Sequence, residues 1–310
     1  MLTFEQNPRL IGDGRITGAR EAGGEYHFFI DTNGSIAART MPVDKRAVGR
    51  EEFVSFANEY TEADSFSISL YGQELKVDLN SRLPLISRGL EQDSWQIISA
   101  FSGQIVNGGH NPYRIGDTKT IKLTTGEELT LEIWGFNHDD KADGSGKAGI
   151  TFGMRDLMAN TRTINAGITN AGGWPATDLR TWLHSTVIAR LPQQLQDVLL
   201  EVVKLSTAGS ASSNIISSNN RLFLFAHREI SGTFEQEGAR YEYWQTVRNG
   251  SIASNRIKRL ANGTGASAWW FTRTARTENV FGFRLFLNGG EDSGSGTSMN
   301  PSGVCFGFCV

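Results

Sequence analysis

Residues 303–310 read GVCFGFCV, and they contain both cysteines of the chain, Cys305 and Cys309. The stretch carries no charge. As a strand it would place Val304, Phe306, Phe308 and Val310 on one face and Cys305, Gly307 and Cys309 on the other. A strand apolar on both faces belongs in the interior of a sheet. Along such a strand the two cysteines stand roughly 13 Å apart, at about 3.3 Å per residue. A disulfide needs Cα atoms within about 7 Å, so they cannot pair with each other there. No further cysteine is present to complete a thiolate metal site. Both are therefore expected to act as small apolar residues of a core strand.

Working outward, the 310 residues hold 35 glycines, 7 prolines and 39% hydrophobic residues, with a net charge of −3. That composition suits a turn-rich globular protein of one large or two modest domains. It offers no basic footprint for nucleic acid and no apolar stretch as long as a membrane span. The opening residues, MLTFEQNPRLIGDGRI, have neither the basic nor the apolar region of a secretory signal, so synthesis in a cytoplasm without a signal peptide is expected.

All seven tryptophans follow residue 94. Before that point lie two hairpin signals. One is YHFFIDTNGSIAA (26–38), with Asn33-Gly34 at its turn. The other is SFSISLYGQELKVDL (65–79), where Phe66, Ile68 and Leu70 alternate and are answered by Leu75, Val77 and Leu79. Between them REEFVSFANEY (50–60) reads as a short helix. Residues 1–85 are thus expected to form a small β-rich anchoring or adaptor module, 86–94 a linker and 95–310 a second domain.

In the second part, Ile121 and Leu123 alternate with polar residues before a turn at Thr125-Gly126 and the run LTLEIWGF (129–136), which predicts another hairpin. Two helices are expected next. ATDLRTWL (176–183) places Leu179, Trp182 and Leu183 on one face behind a Thr177 cap. LPQQLQDVLLEVV (191–203) offers the stripe Leu195, Val198, Leu199, Val202 and Val203 after Pro192. Short strands follow in RLFLFAHREI, ASAWWFTRTA and VFGFRLFLNGG. The fold class expected is α+β, with two helices among many short strands.

The segment FNHDDKADGSGKAGITFG (136–153) contains GSGK, but Lys141 stands where a phosphate loop needs glycine and Ala148 where it needs Ser or Thr. Asp139, Asp140 and Asp143 offer clustered carboxylates of the kind calcium takes. Their order is wrong for an EF-hand, and the competing reading is an Asp/Gly-rich turn. The five histidines show no metal-ligand spacing, no nucleophile elbow is present, and no nucleophile, base and oxyanion donor stand in visible order. No cofactor and no enzymatic activity are expected. The segment 266–303 sets small, polar and charged residues between Trp269, Trp270, Phe271, Phe281, Phe283 and Phe286. Rigid aromatics with adaptable Ser, Gly and Asn and occasional Arg are the chemistry of binding surfaces; ordinary surface loops over a core are the plainer alternative.

Several blocks carry a resemblance: IWGFNHDDKADGSGKAGITFGMRDLM, NAGGWPATDLRTWL, LPQQLQDVLLEVVKLSTAG, RLFLFAHREI, NRIKRLANGTGASAWWFTRTA and the terminal GVCFGFCV. In order, and across about residues 92–310, they resemble a domain family of uncharacterised function common in phages and prophages of gut Gram-positive bacteria. The resemblance implies a C-type-lectin-like fold of the formylglycine-generating-enzyme type, similar to the variable proteins of diversity-generating retroelements. By position, Gly173, Trp174, Leu179, Arg180, Trp182 and Leu183 match a helical signature, and Trp269, Trp270, Arg273, Gly303, Phe306 and Phe308 match the scaffold. Ligand-binding positions would fall between scaffold residues: Arg276, Thr277, Glu278, Asn279, Gly282, Arg284, Phe286, Glu291, Asp292, Ser293, Ser295, Met299 and Asn300. The enzymes of that fold use an exposed, reactive cysteine pair. Cys305 and Cys309 read as buried, so that activity does not carry over.

The resemblance implies a non-enzymatic virion protein that presents its C-terminal face to a bacterial surface glycan or protein, in the manner of a tail fibre or baseplate receptor-binding protein. The N-terminal module would join it to other virion proteins. A homo-oligomer, a trimer by analogy with fibres, is expected, with no membrane insertion. Two further readings stand beside this one: a structural decoration of head or tail, and an enzyme acting on a surface polymer.

Overall fold

The computed structural model describes residues 87–246, 251–291 and 294–310, and before residue 87 the backbone of eight strands. The chain divides into two units, Met1–Ser87 and Arg88–Val310. The first holds β1 (Leu2–Thr3), β2 (Leu10–Ile11), β3 (Arg15–Ile16), β4 (Ala19–Glu21), β5 (Gly24–Ile30), β6 (Ile36–Met41), β7 (Ser65–Leu70) and β8 (Gln73–Asp78). Six of them form a sheet in the order β6-β5-β4-β1-β7-β8. Both anticipated hairpins are present as antiparallel pairs. In the second, Phe66 stands opposite Val77 and Ile68 opposite Leu75. The helix expected over 50–60 lies outside the described residues.

In the second unit, helix α1 (Trp95–Val106) precedes β9 (Thr118–Lys122), β10 (Glu128–Phe136) and β11 (Ile150–Met154). A helical segment follows, α2 (Asp178–Trp182), continued by a π turn through Leu183–Val187 and a 3-10 turn through Ile188–Arg190. The remaining α-helices and strands are α3 (Gln193–Gln196), β12 (Val202–Gly209), β13 (Ser212–Asn220), β14 (Phe223–Leu224), α4 (His227–Ser231), α5 (Ile252–Asn255), β15 (Trp270–Ala275), β16 (Gly282–Phe286), β17 (Gly294–Thr297) and β18 (Phe306–Cys309), with 3-10 turns at Trp174–Ala176 and Glu242–Gln245. The strands build a five-stranded antiparallel sheet β14-β18-β11-β10-β9, a β12-β13 ribbon and a three-stranded sheet β15-β16-β17. The unit is α+β. Among the described residues no helix is long and apolar enough to cross a membrane.

β18 occupies the interior position its two apolar faces demand, between β11 and β14. Cys305 and Cys309 are buried and free. The register sets Gly153 directly opposite Gly307. A Cβ on Gly153 would meet the Trp134 ring at 2.3 Å, and one on Gly307 the Phe225 ring at 2.2 Å. The two rings lie 4.0 Å apart, centroid to centroid. The paired glycines thus make a recess in the sheet that a Trp–Phe pair fills. On the opposite side of the sheet, Trp95 of α1 meets Phe152 and Phe308 edge-on at 5.5 and 5.9 Å.

Two expectations are corrected. The stripe over 191–203 is not one helix: α3 ends at Gln196, and Val202 and Val203 enter β12, paired with Asn220 and Asn219. β-branched residues favour that extended conformation, and the ribbon supplies their hydrogen bonds. RLFLFAHREI is a strand only at Phe223–Leu224 and turns into α4. Residues 88–94, within the expected linker, belong to the second unit. Leu90 and Asp93 are buried, and the Lys119 ammonium donates to the carbonyls of Leu90, Glu91 and Asp93.

Candidate functional site: a three-loop face and its groove

Two polar constellations stand out in the second unit, one sealed and one open. The sealed one alternates in charge. Asp139 pairs with Lys204 at 2.6 Å, Lys204 with Glu229 at 2.8 Å, and Glu229 with Arg273 through a two-pronged contact of 2.7 and 2.8 Å. The Tyr241 hydroxyl accepts from Lys204 and donates to Asp139, while Thr151 donates to Asp139 at 2.6 Å. Arg273 also donates to the carbonyls of Leu205, Leu224 and Glu237. All four charged residues are almost wholly removed from solvent. Burial opposes ionisation of Asp139 and Glu229. The adjacent cations outweigh it, with Lys204 acting chiefly on Asp139 and Arg273 on Glu229, and both carboxyls stay below their ordinary range.

Glu237 is a fifth member. Its carboxyl accepts from the Thr207 amide at 2.6 Å and from the Thr207 and Thr274 hydroxyls. Two anions and two cations already balance, and burial pushes Glu237 up to about 7. The buried Cys309 thiol beside Asp139 is pushed up as well, chiefly by burial, the opposite of what a reactive cysteine needs.

His138, Asp139 and Glu229 bring ligand atoms within 4.8 Å of one another, a spacing a metal could use. The Lys204 ammonium contacts both carboxylates, supplying the positive charge a cation would bring. The aspartates considered for calcium do not converge. Asp139 belongs to the sealed cluster, Asp140 pairs with Lys147 at 2.8 Å, and Asp143 is an exposed turn residue accepting the Ser145 amide.

The open constellation is built from three loops. Asn170 is their hub. Its amide donates to the carbonyls of Arg276, Asn279 and Gly282, and its carbonyl oxygen accepts the Ser210 amide. Ser298 is a second hub. It donates to the Gly167 carbonyl, accepts the Thr169 amide and, through its backbone, ties to Ile164, Asn165 and Phe281. Loops 160–170, 276–281 and 298–301 are thereby held as one surface. That surface exposes Ile168 by 64%, Val280 by 55%, Met299 by 42% and Phe281 by 41%. Four large apolar side chains are thus left exposed on loops that hydrogen bonds hold together.

The positions expected to bind ligand separate on this frame. Arg276, Thr277, Glu278, Asn279, Met299 and Asn300 lie on or beside the three-loop face with at least partial exposure, and Glu291 is exposed on a neighbouring turn. Gly282 and Phe286 are buried, and Phe286 stacks on His227 at 4.6 Å, so neither presents a contact surface. Arg284 is nearly covered, held by Glu235 and Glu278, each at 2.8 Å. Ser295 is a backbone position of β17. Asp292 and Ser293 lie outside the described residues.

Sequence reasoning missed the groove beside this face. A cavity of about 550 Å³ is lined by Thr161, Arg162, Thr163, Ala166, Asp178, Leu179, Trp182 and Pro301. Its members come from three separate segments, and the sequence marks only Leu179 and Trp182 among them, as part of a helical signature.

A family described as Domain of unknown function (DUF6273) matches residues 148–304, just over half of the chain. Neither the curated proteins nor the solved structures contain a match.

Proposed function

The chain belongs to the DUF6273 family, and from that premise we propose that it is a non-enzymatic binding protein of a bacteriophage particle, with the three-loop face as its contact surface. In this reading the unit of residues 88–310 is a C-type-lectin-like domain that holds the face towards a bacterial surface. The unit of residues 1–87 attaches it to other virion proteins, in a homo-oligomer. The observation that carries the reading is the face itself: exposed Ile168, Val280, Phe281 and Met299 on loops fixed by Asn170 and Ser298. Binding rather than catalysis is supported by the placement of the strongly perturbed ionisable groups. They are consumed in a closed charge network, where no substrate reaches them.

The test is binding of fluorescently labelled protein to a panel of intact bacterial cells, with a variant carrying Val280→Ser, Phe281→Ser and Met299→Ser. Binding by the native chain and not the variant is expected. Equal binding by both would move the contact to another surface. If neither binds, even when multimerised to add avidity, the same apolar patch supports the second reading, a decoration protein packed against a neighbour in the particle.

A further inference from the structure

We infer that the groove of Arg162, Asp178 and Trp182 is a binding site for an acidic sugar unit, a monosaccharide bearing a carboxylate or a phosphate. This rests on the reading of this side of the domain as its binding side, and it names the ligand class.

The groove has fixed walls. Arg162 exchanges both backbone hydrogen bonds with Ser302, next to Pro301. Opposite stands α2, capped by Thr177, whose side chain accepts the Arg180 amide. Asp178 ties the two walls together: one carboxylate oxygen accepts the Ala166 amide at 2.7 Å, while its own amide donates to the Asn165 side chain. Leu179, whose amide donates to the Ile164 carbonyl, is buried at the base. The volume of about 550 Å³ is in the range of small-molecule sites.

Several polar groups facing the space are unengaged among the described residues. The Arg162 guanidinium lies 3.9 Å over the Trp182 ring, and its N–H donors have no hydrogen-bond or ion-pair partner among the described residues. Stacking on the indole holds the planar fork in one orientation without using its donors. The second Asp178 oxygen and the Thr161 and Thr163 hydroxyls are also without partners among the described residues. Arg162 and Asp178 share the groove, yet they do not pair with each other.

A fixed guanidinium fork prefers a carboxylate or a phosphate, which it can grip through two parallel hydrogen bonds. A free carboxylate oxygen and two hydroxyls, in a groove open to water, suit neutral hydroxyl groups. The Trp182 edge, Leu179 and Pro301 supply a narrow apolar strip for the C–H face of a ring. The indole face is already covered by Arg162, which disfavours a stacked nucleobase. An anion attached to a polyhydroxylated ring satisfies all of these features together.

The experiment is calorimetric titration of the full chain with glucuronate, glucose 1-phosphate, glucose and alanine, repeated with the variants Arg162→Gln, at an exposed residue, and Thr163→Val, at a half-buried one. Saturable binding of at least one acidic sugar is expected, weakened about tenfold or more by Arg162→Gln and by removal of the anionic group, as in glucose. The glucuronate and phosphate arms tell which anion is preferred. Three results would overturn the assignment: no saturation by either acid at about 50 mM, equal affinity in Arg162→Gln, or tighter binding of the alanine zwitterion. Failure here with cell binding intact removes the ligand class and leaves the three-loop face. Acidic-sugar binding with no cell binding does the reverse.

Discussion

At the scale of single residues, Glu237 gives the clearest prediction. Its carboxyl ionises near 4.5 in an unfolded chain and at about 7 in the folded one. Below pH 4.5 both states hold the proton and no cost arises. As pH rises to 7 the unfolded state ionises first, and the folded state loses roughly 3 kcal/mol, from about 1.4 kcal/mol per pH unit. Asp139 and Glu229 have the opposite sign. Their stabilisation is present above the ordinary carboxylate range and is lost as pH falls through their depressed values. Glu237 thus contributes a decline in thermal stability from pH 5 to about pH 7, set against the opposite contribution of His138 and His184, which burial holds below their ordinary value. Glu237→Gln should flatten that decline, because the amide oxygen still accepts from Thr207 and its NH2 can donate to the Thr274 hydroxyl. The same pH dependence of Tm in the variant and in the native chain would contradict this assignment. Gly307 is the second residue to test. An alanine there drives a methyl into the Phe225 ring and should cost about 1–3 kcal/mol, readable as a lower denaturation midpoint in urea.

At the scale of elements, Thr177 caps α2, and Thr177→Ala should cost about 1 kcal/mol by chemical denaturation, with the groove beside it loosened. This cap was legible in sequence, because a Thr directly ahead of a 3.6-period stripe carries the side-chain oxygen that the first free amides of a helix require. β18 was legible for a different reason: a charge-free segment apolar on both faces has only an interior sheet position open to it. Helix α1 was not recognised, although Trp95, Ile98, Phe101, Ser102 and Ile105 form its buried face behind the Ser94 cap. The polar Ser102 interrupts the stripe. Its hydroxyl is in fact engaged with the Val310 carbonyl and the Gly149 amide, contacts no local pattern reveals. The stripe over 191–203 misled because i, i+3, i+4 spacing over a short apolar run does not separate a helix from a turn followed by a strand. At the site, the exposed positions around 276–279 and 299–300 were readable as loops between aromatic supports. Gly282, Arg284 and Phe286 were not, since alternation along β16 gives way to burial on both faces. The groove was invisible because Arg162, Asp178 and Pro301 meet only after folding.

At the scale of the whole molecule, each unit is considered on its own. In the unit of residues 88–310, the buried charges join its three sheets. Asp139 accepts from Thr151 of β11, Lys204 belongs to β12, and Arg273 to β15. Removing one member leaves an uncompensated charge in the interior, which typically costs 3–5 kcal/mol. Against a domain stability of about 5–15 kcal/mol that is a large share. Lys204→Met should therefore lower Tm far more than Lys122→Met, whose partner Glu128 lies at 3.7 Å on the exposed surface. Comparable losses in the two variants would show that the cluster is not what couples the sheets.

The position of β18 bears on how the protein is made. Its partner β11 is translated about 150 residues earlier, and Gly153 must wait for Gly307. Until residues 306–309 leave the ribosome, β11 and β14 each present an unpaired inner edge, and the recess for Trp134 and Phe225 stays incomplete. A nascent chain with exposed strand edges invites mispairing between neighbours on a polysome. Contacts so far apart in sequence also make closure slow. A folding chaperone of the producing cell would then govern yield, and chains stalled just short of residue 306 should accumulate as aggregates or be degraded.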